Sequence, residues 1–353
     1  MKRFVAVLLV GCLLAVGLCG CAKQDGDTPN GSTTGSTTTT TTMPSSQNGK
    51  LLNVLTGEYS LNEAEGNRPV GIMVPNDGTT RGNQAGIDKA DFILETETEG
   101  AIPRLLAIFG NASSIPEKFG PTRSARSPFV RMARGMDAIY CHAGGSPVAL
   151  ETLKSGVMTH IDALADSKTF WRDSELKSVM DTVHSVATSG EKMVARIKKS
   201  GYATTASKQP FAFGEVAGTG AAQKVQLKTT ANHTVSFVYD SATKTYGKQI
   251  GALENGKPHK SLKGTQIKVT NVVVLYAQKN VETVSPKTTT YDFTTGNGKG
   301  YMISGGTVRP IKFTLQNDGF TLIEEDGSPA KFAVGKTYMC LADQNLAGNF
   351  SAS

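Results

Sequence analysis

The sequence predicts an α+β fold: an N-terminal mixed α/β domain followed by a mostly antiparallel β domain. Three observations carry that expectation. Between residues 70 and 199, strand-like runs alternate with helix starts. After Gly214, short β-patterned runs follow one another, separated by Asn-Gly, Gly-Asn-Gly, Gly-Gly and Asp-Gly turn signals, with no amphipathic helix between them. From Leu51 onward the composition is globular for about 300 residues, ample for two domains.

The elements follow in order. Val70-Gly-Ile-Met-Val74 reads as a short buried strand. Asp91 to Glu99 alternates, with Phe92, Leu94, Thr96 and Thr98 on one face and Ile93, Glu95, Glu97 and Glu99 on the other. Gly100-Ala101 then turns the chain into Arg104 to Phe109, which makes a β-hairpin. Pro128 opens a helix to Met136, and Ala138 to His142 is a strand. Ser146 and Pro147 are the N-cap and first residue of a helix running to Lys154. Lys192 to Lys199 is a further helix. The β half then comprises Val225–Thr230, Thr234–Tyr239, Gln266–Lys279, Thr288–Thr295, Tyr301–Ser304, Val308–Leu315 and Phe320–Glu325.

Ahead of this body the chain reads as an address and a tether. Lys2 and Arg3 precede an apolar run from Phe4 to Leu18 that is too short to span a bilayer as a helix, which needs about 20 residues. Leu18-Cys19-Gly20-Cys21 fits a lipobox, so residues 1–20 are expected to be a lipoprotein leader and Cys21 the acylated first residue of the mature chain. Two or more acyl chains hold a protein stably at a membrane. Residues 21–50, rich in Thr, Ser, Gly and Asn, have almost nothing to bury and read as a disordered tether spanning roughly 30 Å. The domains are then expected at 51–214 and 215–348. Loss of Lys2 and Arg3 with the leader takes the net charge from +7 to +5. That suits anionic headgroups or wall polymers, and it is too diffuse for nucleic acid. Cys141 and Cys340 sit in strand-like surroundings and either pair or remain two buried thiols.

The densest chemistry lies in Phe119-Gly-Pro-Thr-Arg-Ser-Ala-Arg126 and Ile139-Tyr-Cys-His-Ala-Gly-Gly-Ser-Pro147. Arg123 and Arg126 flank Ser124 beside a helix start. Gly144, Gly145 and Ser146 make a strand-to-helix turn whose backbone N–H groups and helix dipole favour an anion. Guanidiniums nearby supply bidentate donors for phosphate or carboxylate. The plainer alternative is N-capping plus surface arginines. Glu95, Glu97 and Glu99 are either a carboxylate face opposite Arg104 or a solvated hairpin face with ordinary cross-strand pairs. A general base, if the chain has one, is among His142, His160 and His184. Ser146 is outside any nucleophile-elbow pattern. No histidine pair has metal-ligand spacing, and no metal or cofactor is expected.

A resemblance arises from these same residues. Leu55-Thr-Gly57, Asn67-Arg-Pro69, Ala90-Asp91, Glu99-Gly100, Arg104, Gly120 to Arg126 and His142 to Pro147, in this order, closely resemble the YerB-like family of Gram-positive lipoproteins, a family of unknown function. Phe170-Trp-Arg-Asp173 and His184 to Ser189 continue the match, and in the β half so do Phe237-Val-Tyr-Asp240, Tyr246-Gly-Lys248, Asn271-Val-Val-Val274 and Gly296 to Gly300. The chain departs from that pattern at His184-Ser185, where His-Asn is usual, and at Lys248, where Arg is usual. The resemblance implies an envelope lipoprotein and no reaction. A fainter likeness to the LytR-CpsA-Psr phosphotransferases implies that Asp91, Arg104, Arg123 and Arg126 hold a polyprenyl pyrophosphate, although the Ser-Ile-Pro-Arg-Asp type of signature is absent. The expected function is therefore a membrane-anchored module binding an anionic envelope ligand or a wall-synthesis protein. The alternative is a phosphotransferase acting on polyprenyl-phosphate-linked glycans. The ligand candidates are Asp91, Glu95, Glu99, Arg104, Arg123, Ser124, Arg126, His142, Gly144, Gly145, Ser146, Arg172 and His184.

Overall fold

The fold turns on one large mixed sheet to which both halves of the chain contribute. The computed structural model describes residues 45–285 and 288–353; the leader, Cys21 and the tether up to residue 44 lie outside the described residues. From the N-terminal half come β1 (Val70–Pro75), β2 (Phe92–Thr98), β3 (Ile102–Phe109), α1 (Ser127–Gly135), β4 (Ile139–His142), α2 (Pro147–Lys154), β5 (His160–Asp162) and α3 (Gly190–Ser200). From the C-terminal half come β6 (Lys224–Thr230), β7 (His233–Asp240), β8 (Thr245–Ile250), β9 (Asn271–Ala277), β10 (Gly296–Ser304), β11 (Thr307–Gln316) and β12 (Thr337–Asp343).

The large sheet has 11 strands. Its order runs from Gly220–Ala221 through β11, β10, β9, β12, β2, β3, β1 and β4 to β5, with Gly319–Ile323 beside β11. The joint is β12, which pairs in parallel with β9 on one side (Val274 opposite Cys340) and with β2 on the other (Glu95 opposite Cys340). Alternation along β2 explains the layers. Phe92 and Leu94 join Leu106, Ile108 and Tyr140 under α1 and α2. Ile93 faces the other way, with Leu105, Ala107 and Cys141, toward Met193 and Ile197 of α3 and toward Val225, Leu227, Val235 and Phe237. Those last four belong to a second, antiparallel sheet of six strands built on β6, β7 and β8.

Two details differ from the sequence-based expectation, and of the two readings left open for Cys141 and Cys340 the buried thiols hold. The Gln266–Lys279 run is broken at Thr270: Lys268–Val269 pairs with β8 in the second sheet, whereas β9 belongs to the large one, so the run changes sheets. The tether composition conceals a hairpin. Ser46–Gln47 pairs with Lys50–Leu52 across Asn48-Gly49, both at positive φ, the conformation a two-residue hairpin turn requires. Cys141 and Cys340 are both buried and free. They lie four strands apart, about 19 Å at ordinary strand spacing, far beyond disulfide reach.

Candidate functional site: an arginine edge and a buried carboxylate

β1, β4 and β5 run parallel, so their C-terminal ends share one edge of the sheet. Antiparallel β3 starts at that same edge, with Arg104 opposite Pro75 on one side and Thr96 on the other. In open α/β sheets this is where ligands bind. The segment before α1 is threaded through the edge by backbone bonds: Arg123 N–H donates to Met73 O (2.9 Å), Ala125 N–H to Gly144 O (2.8 Å) and Ala143 N–H to Arg123 O (2.9 Å). Arg123, Arg126 and Arg104 are thereby brought together.

Arg104 is nearly buried and donates to Ser124 O at 3.0 Å. Arg126 donates through Nε to Glu99 (2.5 Å) and through Nη1 to its neighbour's carbonyl, Ala125 O (2.8 Å). Burial, then the charges of Arg126 and Arg123, depress the Arg104 guanidinium to about 9, and Glu99 only partly offsets them. Burial works to raise the Glu99 carboxyl, but the Arg126 bond and charge outweigh it and hold it below its ordinary value. Three guanidiniums therefore meet one carboxylate.

Hydrogen-bond donors at this edge are also in surplus. α1 has no side-chain cap, Arg126 being extended at its N-cap, and the buried Ser127 hydroxyl has no partner. Thr122 Oγ1 and the amide nitrogen of Asn76, just past β1, are buried and unpaired as well. The Tyr140 hydroxyl lies by the Arg126 amide, but nothing accepts its proton. Buried polar groups are rarely left unpaired, so each needs an explanation.

The glycine turn is occupied by the protein itself. Gly144 has φ +64, and a Cβ on Gly145 would meet Ala125 Cβ at 3.0 Å, so the glycines serve turn geometry and close packing. Gly144 N–H donates to Asp162 (3.0 Å), Ser146 N–H to Ala125 O (3.1 Å), and Ser146 Oγ caps Ala149. The expectation of outward-facing amides is corrected for Gly144 and Ser146, whose N–H groups neighbouring acceptors already hold. His142 is fully buried, bonded to Gly144 O (2.9 Å) and His160 (3.1 Å), and burial holds both rings below the ordinary histidine value.

Other candidates lie apart from the arginines. Asp91 directly precedes β2 at the far end of the hairpin, where its carboxylate accepts from Gly110 N–H (2.8 Å) and Asn53 (3.1 Å). It is five residues, about 17 Å along the strand, from Thr96, which faces Arg104. Asp91 and the arginines do not converge. Arg172 braces a turn through the carbonyls of Thr182 and Val183, and His184 faces Asp181 (2.9 Å) and Asp77 (3.7 Å) in that same corner. A groove of about 830 Å³ lies against α3, where Arg196 is paired with Asp166 at 2.6 Å.

The Glu95, Glu97 and Glu99 stripe divides among three cations rather than forming one face: Lys248 for Glu95, Lys279 for Glu97 and Arg126 for Glu99. Nor is it solvated, since Glu95 is 0% exposed and Glu97 4%. Oε1 of Glu95 accepts from Thr229 (2.8 Å) and faces His233 Nε2 (3.3 Å). Oε2 accepts from the Tyr338 hydroxyl and lies 3.7 Å from Lys248. Lys248, also fully buried, sits over the Tyr338 ring and 3.1 Å from His259, which reaches Gln84 (2.8 Å). Arg81 meets His233 at 2.9 Å. Burial acts to raise Glu95, but Lys248, His233 and Tyr338 overcome it and hold it well below the ordinary carboxylate range. Of this cluster the sequence offered Glu95 as a ligand candidate and Lys248 only as a departure from the family pattern, because the partners of Glu95 lie from 134 to 243 residues away.

Among the described residues no helix is long and apolar enough to cross a membrane, and no cluster of metal-ligating side chains occurs. Comparison with known proteins finds relatives over most of the chain. Over 301 residues the chain is 29% identical to "Putative lipoprotein YerB" of Bacillus subtilis (strain 168), covering 82% of this chain and 86% of that one. The crystal structure of the YerB protein from Bacillus subtilis superposes with a TM-score of 0.71 at 27% identity, covering 86% of this chain and all of that one. The N-terminal model of a family described as "Protein of unknown function (DUF3048)" matches residues 55–203, and its C-terminal model matches 224–339. With both models matched in chain order over most of the body, the chain belongs to the DUF3048 family.

Proposed function

We propose that this protein is a lipid-anchored module, held outside the membrane through Cys21, that binds an anionic envelope ligand at the arginine edge. The lipobox and the relative's name support the anchor. The ligand reading rests on one observation: three guanidiniums against one carboxylate, among buried donors that lack acceptors. A multivalent oxyanion supplies both missing terms, charge and acceptor oxygens. Transfer chemistry is not part of the reading, since Asp91 lies at the other end of the hairpin.

Native mass spectrometry of the membrane-extracted protein tests this reading. A co-purifying phosphate-bearing lipid or wall fragment is expected, lost in Arg104→Met and Arg123→Met. Titration with inorganic phosphate is expected to weaken about tenfold or more in either variant, the scale of one charge-assisted hydrogen bond. Unchanged phosphate binding in both variants, or co-purification of partner proteins alone, defeats the ligand reading. Cys21→Ser that still sediments with membranes at normal length defeats the anchor.

A further inference from the structure

The bonding around Glu95 fixes which nitrogens carry protons. A guanidinium only donates, so His233 receives the Arg81 bond on Nδ1 and carries its N–H on Nε2, which lies 3.3 Å from Glu95 without forming a well-aligned hydrogen bond. Gln84 gives its amide nitrogen to Pro75 O (2.8 Å), which leaves Oε1 for His259. That oxygen only accepts, so His259 is protonated at Nε2 and offers its Nδ1 lone pair to the Lys248 ammonium, 3.1 Å away.

A second proton on His259 has to sit on Nδ1, pointing at that ammonium. The ring is 0% exposed, so water does not reach it in the closed protein. The groups facing it and Lys248 come from every packed element: Glu95 of β2, Thr229 of β6, His233 of β7, Tyr338 and Cys340 of β12, and Arg81 and Gln84 of the loop after β1. One carboxylate, Glu95, already answers Lys248 at 3.7 Å, and among the described residues no second one pairs with this cluster to receive a histidinium. His233, by contrast, has Glu95 at its side. His259 charges more readily once water reaches its ring, which parting the second sheet from β2, β12 and the Gln84 loop provides.

We propose that this cluster is an acid-released latch, in which His259 and Lys248 close the second sheet onto the N-terminal half and protonation of His259 stabilises the open form. The sign follows from linkage. Burial first, and the Lys248 charge next, hold the His259 ring well below 6.5 in the closed protein. The open form therefore binds one proton more once the pH falls below about 6.5, and the closed form is favoured above it. Below 4.5 the open form gains a further proton on Glu95, which is held down when closed.

Hydrogen exchange on the full-length chain reads the opening. Between pH 6 and 5, corrected for intrinsic exchange, amides of β7 and β8 are expected to lose protection about tenfold per pH unit, the slope of one proton. Amides of β1 and β4 are expected to hold. In His259→Gln, whose amide oxygen still accepts from Lys248, the slope disappears. Nitrogen NMR of the wild-type histidines provides a test that needs no variant: His259 is expected to keep its Nε2–H form down to pH 5. Flat exchange in the wild type, loss of protection spread equally over β1 and β4, or a His259 ring that titrates near 6.5 in the closed protein each overturn the latch.

Discussion

Glu95 and Glu99 leave the same hairpin four residues apart, each to meet several cations, yet they end in opposite states. At Glu95 every oxygen is engaged, by Thr229, His233, Tyr338 and Lys248, and the whole group is out of water. At Glu99 one carboxylate meets Arg126, with Arg104 and Arg123 behind it and hydroxyls nearby without acceptors. A carboxylate whose two oxygens are both taken by groups of its own fold marks a cluster that holds a structure together. A surplus left at a sheet edge marks one that waits for something else. The difference comes from position along β2: Glu95 lies under the second sheet, and Glu99 is in the turn beyond it.

The largest effect is expected where the charges are most deeply buried. Glu95→Ala leaves Lys248 without its counter-charge and should cost about 3–5 kcal/mol in denaturant unfolding. Glu95→Leu combined with Lys248→Met should recover most of that, since the ion pair itself contributes little beyond a packed apolar pair. If the double variant is as unstable as the sum of the single changes, the two residues are not coupled and the closed character of this cluster is lost.

Next comes Tyr338→Phe. Its hydroxyl donates to a carboxylate inside the fold, so deleting it should cost about 1.5–3 kcal/mol. Glu99→Gln is smaller. Glu99 is partly exposed, and water and salt screen its pairing with Arg126 to roughly 1 kcal/mol. Without Glu99 the three guanidiniums face one another unopposed, so inorganic phosphate should raise the melting temperature of Glu99→Gln more than that of the wild type. An equal rise in both proteins places the phosphate elsewhere.

What could be read from the sequence follows the range of the forces involved. The β2–β3 hairpin, the Ser146 cap and the strand at Val70 are decided within a few residues, and the structure has all three. The arginines were legible because Arg123 and Arg126 share one short segment with a helix start. The edge that collects Arg104 with them needed the parallel order of β1 and β4, which no local pattern carries. Asp91 looked close to Arg104 in sequence and is the length of a strand away. β12 was recognisable as strand-like, but its place between β9 and β2 depends on pairings 66 and 245 residues apart in the chain. Lys248 was visible only as a departure from the family pattern, and the carboxylate from another sheet that makes its burial tolerable was not.

The smallest expected effect separates the two clusters most cleanly, because it repeats one substitution already made. Tyr140→Phe removes the same hydroxyl as Tyr338→Phe from an equally buried ring. Tyr338 has an ionised acceptor, whereas Tyr140 has only the Arg126 amide beside it and nothing to receive its proton. Removing a buried donor that is already unpaired forfeits no bond of its own, so stability should change by less than about 1 kcal/mol and can rise. The loss should appear instead in phosphate titration, as weaker binding at unchanged stability. If Tyr140→Phe costs as much stability as Tyr338→Phe and leaves phosphate binding unaltered, the arginine edge is as closed as the Glu95 cluster. Its three guanidiniums are then scaffold.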